Sequence, residues 1–213
     1  MSFVTELVAL VRGTTSTPVH VAANSAGEMY GVKRLPDFLE LVVGKKVWKV
    51  QDLTTTAVLN DVLPTTASAL TVQNPTEDIY YVVMGVSAIL DVAPASLGAV
   101  SFSHAAHKAK VALLARDVVH STIGGYYPGQ GAYSGEIVLD RGATVVDDGW
   151  TPVGKMVVNA IASQTFMSDY FKLDIPVVIP PGYHWSLGAT GNDATFEAGM
   201  GLVWAELTLS ELR

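Results

Sequence analysis

From Leu70 onward, apolar runs of strand length are separated at short intervals by proline, glycine, asparagine and aspartate. This punctuation constrains the fold more than any other feature. A helix needs about ten residues of helical periodicity to bury a face, whereas short runs closed off by turn formers pair as strands and stack as a sandwich or barrel. The runs are 70–73, 79–92, 135–139, 155–162, 173–179, 183–187 and 199–209, divided by Asn74-Pro75, Pro94, Gly98, 140–142, 147–149, 180–182 and 191–193. Within 79–92 both faces are apolar: Ile79, Tyr81 and Val83 on one, Tyr80, Val82, Met84 and Val86 on the other. Such a strand needs cover on both sides, from a second sheet and from either a further layer or a neighbouring subunit. Leu202 and Trp204, against Val203, Ala205 and Leu207, give the last strand the same character.

Residues 1–69 lack this regularity. Val4, Leu7, Val8 and Val11 recur at helical spacing behind Ser2, a competent N-cap, and predict a short helix that docks by its apolar stripe. A flexible break at 13–16, a β segment at 18–22, a turn at 24–27, a strand-like 46–50 and a Thr- and Ala-rich 54–69 follow. The division that results is an N-terminal arm and anchoring segment, 1–69, and a β-sandwich domain, 70–213. An extended arm gains its order from neighbouring subunits. Residues 105–121 admit a helix through Val111, Leu114 and Val118 or a strand over 111–119, and the β context favours the strand.

Hydrophobic residues make up 49% of the chain and charged residues only 15%, against roughly 25% charged in an average globular protein. Too few charges remain to cover a lone monomer, so apolar surface is expected to meet other copies, as a homotrimer. Without cysteine there is neither a disulfide framework nor a thiolate metal site. A net charge of −7 opposes nucleic-acid binding, and the cluster Lys45, Lys46 and Lys49 reads as solubilising charge. The apolar stretches fall short of the about 20 residues that span a bilayer. The start carries no basic segment ahead of an apolar run, so neither a membrane anchor nor a cleaved signal is expected.

Residues with chemical potential are few. His104 and His107 stand three apart but lack a third ligand, so the expectation is two surface or loop histidines, with no metal and no cofactor. No phosphate loop, nucleophile elbow or HExxH occurs. Glu136, Asp140, Asp147, Asp148, Asp169 and Asp174 read as turn-solvating carboxylates rather than a glycosidase pair or calcium site, and no catalytic residue is assigned. The segment 124–135 is rich in glycine and carries Tyr126, Tyr127 and Tyr133. Two readings of it stay open: a loop packed on the sandwich or on an adjacent subunit, and a stacking platform for sugars.

Several motifs resemble a known group. Leu70-Thr71-Val72-Gln73-Asn74-Pro75 leads into the apolar stretch 79–90. Val178-Ile179-Pro180-Pro181-Gly182-Tyr183-His184-Trp185-Ser186-Leu187 forms a turn between strands, and Leu202-Val203-Trp204-Ala205-Glu206 closes the chain. With Thr5-Glu6-Leu7 and Leu10-Val11-Arg12-Gly13 near the start, these are similar to segments of the jelly-roll head-decoration or cement proteins, and related minor structural proteins, of tailed bacteriophages. The resemblance implies an all-β, antiparallel jelly-roll-like sandwich with an N-terminal extended arm and short helix. It also implies a non-enzymatic homotrimer on the outer capsid surface of a virion, bridging subunits of the major capsid protein. The alternative is a tail-fibre, head-fibre or tail-tip component whose tyrosine-rich loop binds a host glycan; a carbohydrate-active enzyme on the same scaffold lacks a motif.

Overall fold

The computed structural model describes residues 37–60, 68–92, 98–108, 110, 112–115, 117–141, 143, 149–158, 165–193 and 195–212. Val4, Leu7, Val8 and Val11, and the carboxylates Asp147 and Asp148, lie outside them. In chain order the elements are α1 (Asp37–Val43), β1 (Val47–Gln51), β2 (Thr56–Ala57), β3 (Leu59–Asn60), β4 (Leu70–Gln73), β5 (Ile79–Val92) and β6 (Gly98–Ala106). After a 3-10 turn (His120–Thr122) come β7 (Gly124–Gly125), β8 (Val138–Asp140), β9 (Thr151–Val158), β10 (Thr165–Ile179), β11 (His184–Gly191) and β12 (Glu197–Thr208). One sheet has the order β10-β5-β12-β1-β7 with β2 beside β12; the other has β8-β4-β11-β6-β9 with β3 beside β11. Apart from the two-residue β3–β11 pair, the described pairings are antiparallel. The chain is an all-β sandwich, as its punctuation predicts.

Between the sheets, Tyr81, Val83, Val86, Ala88, Leu90, Met200, Leu202 and Trp204 meet Leu70, Val72, Val100, Phe102, Trp185 and Leu187. The inward residues of β5 change phase, odd-numbered up to Val83 and even-numbered from Val86. A bulge at Met84 absorbs the change: Val203 faces Gly85 but Trp204 faces Val83. Without that extra residue, one half of β5 would turn its apolar set outward. On the opposite side, β10 makes an excursion between Lys172 and Val177 at the same level.

Part of the second apolar face of the first sheet is covered by the chain itself. Val47, Val203, Ala205 and Leu207 are buried there beneath Leu41 and Val42 of α1 and Leu212 near the C-terminus, alongside Val82 and Met84. Helix α1 ends with Lys45 N–H bonded to Val42 O and Lys46 N–H to Leu41 O. Lys45 takes a φ of 57°, so this is a Schellman stop in which a lysine, not the adjacent Gly44, holds the left-handed position. An ion pair between Lys46 and Glu211 ties the C-terminal turn to the same end.

Two expectations need correction. The sandwich does not begin at residue 70: β1 lies between β12 and β7, with Val47 opposite Ala205 and Val50 opposite Leu202. A five-residue strand is too short to display an unambiguous alternation. Residues 105–121 are neither one helix nor one strand: β6 stops at Ala106, and the described residues between it and the 3-10 turn belong to no helix or strand. That stretch crosses the outer face of the second sheet, where the Gln73 side chain donates to Ala112 O at 3.0 Å and accepts from Leu114 N–H at 2.8 Å. A side-chain amide thus takes the place of a strand partner, which leaves the exposed Leu113 free to break the apolar spacing.

Candidate functional site

Two of the motifs that carry the resemblance, 70–75 and 178–187, meet in space; Thr5-Glu6-Leu7 and Leu10-Val11-Arg12-Gly13 lie outside the described residues. Asn74 is fully buried at the end of β4. Its amide donates to Ile79 O at 2.8 Å and to Ile179 O at 2.9 Å, tying the start of β5 to the end of β10. Its carbonyl oxygen accepts from the backbone and hydroxyl of Thr76, and its main chain exchanges bonds with Gly182 and Tyr183. Pro180, Pro181 and Gly182 form a tight turn closed by Tyr183 N–H to Pro180 O. Gly182 sits at φ 79°, the third position of a type II turn that demands glycine, after the proline that presets the second. These residues do structural work, and none presents a reactive group to solvent.

The tyrosine-rich segment splits in two. Tyr126 and Tyr127 are partly exposed, beside Phe38, Lys49 and Lys45, and the loop is fixed to β1 by Tyr126 N–H to Val47 O and Gln130 Nε2 to Lys45 O. Tyr133 is buried, so the three tyrosines do not make one platform. The Tyr133 ring lies edge-on to Trp48, Trp204 and His120, and its hydroxyl donates to Glu206 Oε1 at 2.5 Å. Trp204 Nε1 donates to the same oxygen at 3.2 Å, and His120 Nε2 bonds to Ile137 O at 2.7 Å.

Burial pushes the Glu206 carboxyl above its usual range, partly opposed by the Tyr133 and Trp204 hydrogen bonds. Burial, with the adjacent Glu206 charge, raises the Tyr133 phenol strongly. The sign for stability follows. A carboxyl whose pKa is raised in the fold contributes most below its unfolded value, and that contribution is lost as pH rises through the folded value. We expect Glu206→Gln, which keeps an acceptor without the charge, to gain stability relative to the parent as pH rises from acid to neutral. Parallel urea curves across that range would contradict the burial argument if the gap stayed constant.

Of the two histidines expected at the surface or in a loop, His104 is half-buried on β6 and His107 is buried in the loop just beyond it. His104 accepts a 3.1 Å hydrogen bond from Trp185 Nε1, and burial holds its imidazole below the usual value. His107 is buried, stacked on His184 with ring centroids 4.2 Å apart, and bonds the Ser186 hydroxyl at 2.9 Å. Ser186, Thr71 and Ser68 continue a chain of hydroxyls on the outer face of the second sheet. That face is polar yet covered, which is why polar residues of β4 and β11 are buried.

Among the described residues, no three His, Asp or Glu side chains are grouped as a metal site needs, and no helix is long and apolar enough to cross a membrane. Asp140 is buried, which raises its pKa, with Asp117 adding to the effect. Arg141 pairs with Asp52 through two guanidinium nitrogens and joins the ends of β8 and β1. Glu136, Asp169 and Asp174 are exposed.

Two surface features remain. An open groove of about 460 Å³ crosses the outer face of the first sheet between Tyr126 and Tyr170. At the β9–β10 edge, Val157, Ile175 and Val178 are exposed, Ile175 to 83%. Compared with known proteins, the chain matches no family model and no curated sequence.

Proposed function

We propose that this chain is a structural protein of a tailed-phage virion, a homotrimer that decorates the outer capsid and cements neighbouring major capsid subunits. The strand order supports a jelly-roll wind. Taken as β1, β4, β5, β6, β9, β10, β11 and β12, successive strands change sheet at each connection except β6 to β9. That sets β10-β5-β12-β1 against β4-β11-β6-β9, the order expected of an eight-stranded jelly roll.

The observation that carries the assembly reading is the β9–β10 edge. β10 pairs with β5 on one side, and no described strand pairs with its other side. Asp169, Lys172, Asp174 and Pro176 lie along it, residues that discourage addition of another strand. Exposed Ile175 and Val178 beside those guards fit side-chain packing against a neighbouring copy. α1 and Leu212 cover part of the second face of β5, and the exposed Val178, opposite Val82, carries that face out to the β10 edge. Three copies of one arm would then raise the effective concentration for each contact with the shell.

Native mass measurement tests the reading. The parent protein is expected to be a trimer at micromolar concentration, and the double variant Ile175→Asp, Val178→Asp a monomer with the same melting temperature. A monomeric parent would remove the assembly reading, and an image of the virion without density for this protein on the shell would remove the capsid assignment.

A further inference from the structure

We propose that the groove on the outer face of the first sheet binds a neutral glycan. Its walls are Tyr126, on the loop before β8, and Tyr170, on β10; Lys49, Gln51, Ser87 and Val203 are among the other lining residues. Two strand glycines outside the lining lie against its side chains. A β-carbon on Gly85 would lie 2.0 Å from the Tyr170 hydroxyl, and one on Gly201 would lie 2.4 Å from the Ser87 hydroxyl and 2.6 Å from Gln51 Oε1. Glycine inside a strand weakens it and is kept where another group must come close to the backbone. Here two glycines on adjacent strands let the Tyr170 and Ser87 side chains, which line the groove, lie low across the sheet.

The trough has the chemistry of a sugar site. Tyr170 is 49% exposed and Tyr126 40%, so each offers an aromatic face and a hydroxyl, the pairing that suits a pyranose with one apolar C–H face and a rim of hydroxyls. Tyr126 is held by its backbone bond to Val47 O and by Lys49 Nζ, 5.4 Å from its ring centre. Gln51 Nε2 donates to Asp52 O and Gly199 O and its oxygen accepts from Ser87. Gln51 therefore positions the floor, while the Ser87 oxygen keeps acceptor capacity. Among the described lining residues there is one ammonium and no carboxylate, which disfavours a cationic ligand; that ammonium lies over the Tyr126 ring. An open trough suits a chain of sugars rather than an enclosed small molecule. This site uses Tyr170 in place of the buried Tyr133 and does not depend on the capsid assignment.

The test is binding of the full-length protein to immobilised neutral hexose and N-acetylhexosamine oligosaccharides, followed by titration in solution. At least one is expected to bind, with Tyr170→Ala and Tyr126→Ala each weakening it by about tenfold or more at unchanged melting temperature and oligomeric state. Tyr170→Phe, which keeps the ring, should retain most of the affinity. The proposal is overturned if no neutral oligosaccharide binds at millimolar concentration, or if neither alanine variant changes the affinity. Binding confined to anionic saccharides and lost in Lys49→Met would also overturn it, by assigning the groove to a different ligand class.

Discussion

Replacing Trp204 by alanine is expected to lower stability by about 3–5 kcal/mol, a large part of the about 5–15 kcal/mol that holds a domain of ordinary stability together. The indole is fully buried on β12, which pairs with both β5 and β1 and so sits at the centre of the first sheet. It packs against the Tyr133 ring, with centroids 5.9 Å apart, and its Nε1 is one of two donors to Glu206. Truncation would open a cavity at the middle of the core and also strip a hydrogen bond from a half-buried carboxylate. Trp204→Phe should cost less, since it refills most of the space and forfeits chiefly the Nε1 donor. Chemical denaturation followed by circular dichroism measures both, and an alanine variant with the parent's midpoint would contradict the central place of Trp204 in the core.

The same strand shows what a sequence of this kind discloses and what it hides. Alternation along β12 separates Leu202 and Trp204 from Val203, Ala205 and Leu207, and the structure puts the first pair between the sheets and the others under α1. The same alternation places Glu206 on the inward face two residues after Trp204, a signal that could have marked it as a partly buried carboxylate. β4 and β5 have the bounds their turn residues predict, because Asn74-Pro75 punctuates the chain strongly.

What escaped has no local signature. The bulge at Met84 is set by partners on β12 and β10, far away in sequence. The path after His107 is held by Gln73, about forty positions upstream, as the bonds to Ala112 and Leu114 show. Tyr133 is set apart from Tyr126 by contacts such as its bond to Glu206, which joins residues 73 positions apart. The glycan groove joins Tyr126 to Tyr170, residues that no motif links.

Asn74→Ala is expected to cost about 2–4 kcal/mol, since an unsatisfied buried acceptor costs about 1–3 kcal/mol and two carbonyls lose their shared donor. Ile179 O is the more vulnerable, because its bond to Asn74 is buried; Ile79 O also receives the Thr76 hydroxyl at 3.0 Å. The main-chain bonds of residue 74 to Gly182 and Tyr183 survive the substitution, so the loss isolates the side-chain amide. Asn74→Asp separates donation from shape. An ionised carboxylate fills the same volume and can still accept from Thr76, but it has no proton for either carbonyl and repels both. Its pKa in the fold should therefore lie above the ordinary aspartate value of about 3.9. The stability of this variant should then be highest below that value and fall as pH rises through the raised one, while the alanine variant shows no such added dependence. If alanine leaves the unfolding midpoint unchanged, or if aspartate behaves like alanine at every pH, the amide does not join β5 to β10 and the Pro180–Gly182 turn holds that end of the sandwich through its backbone alone.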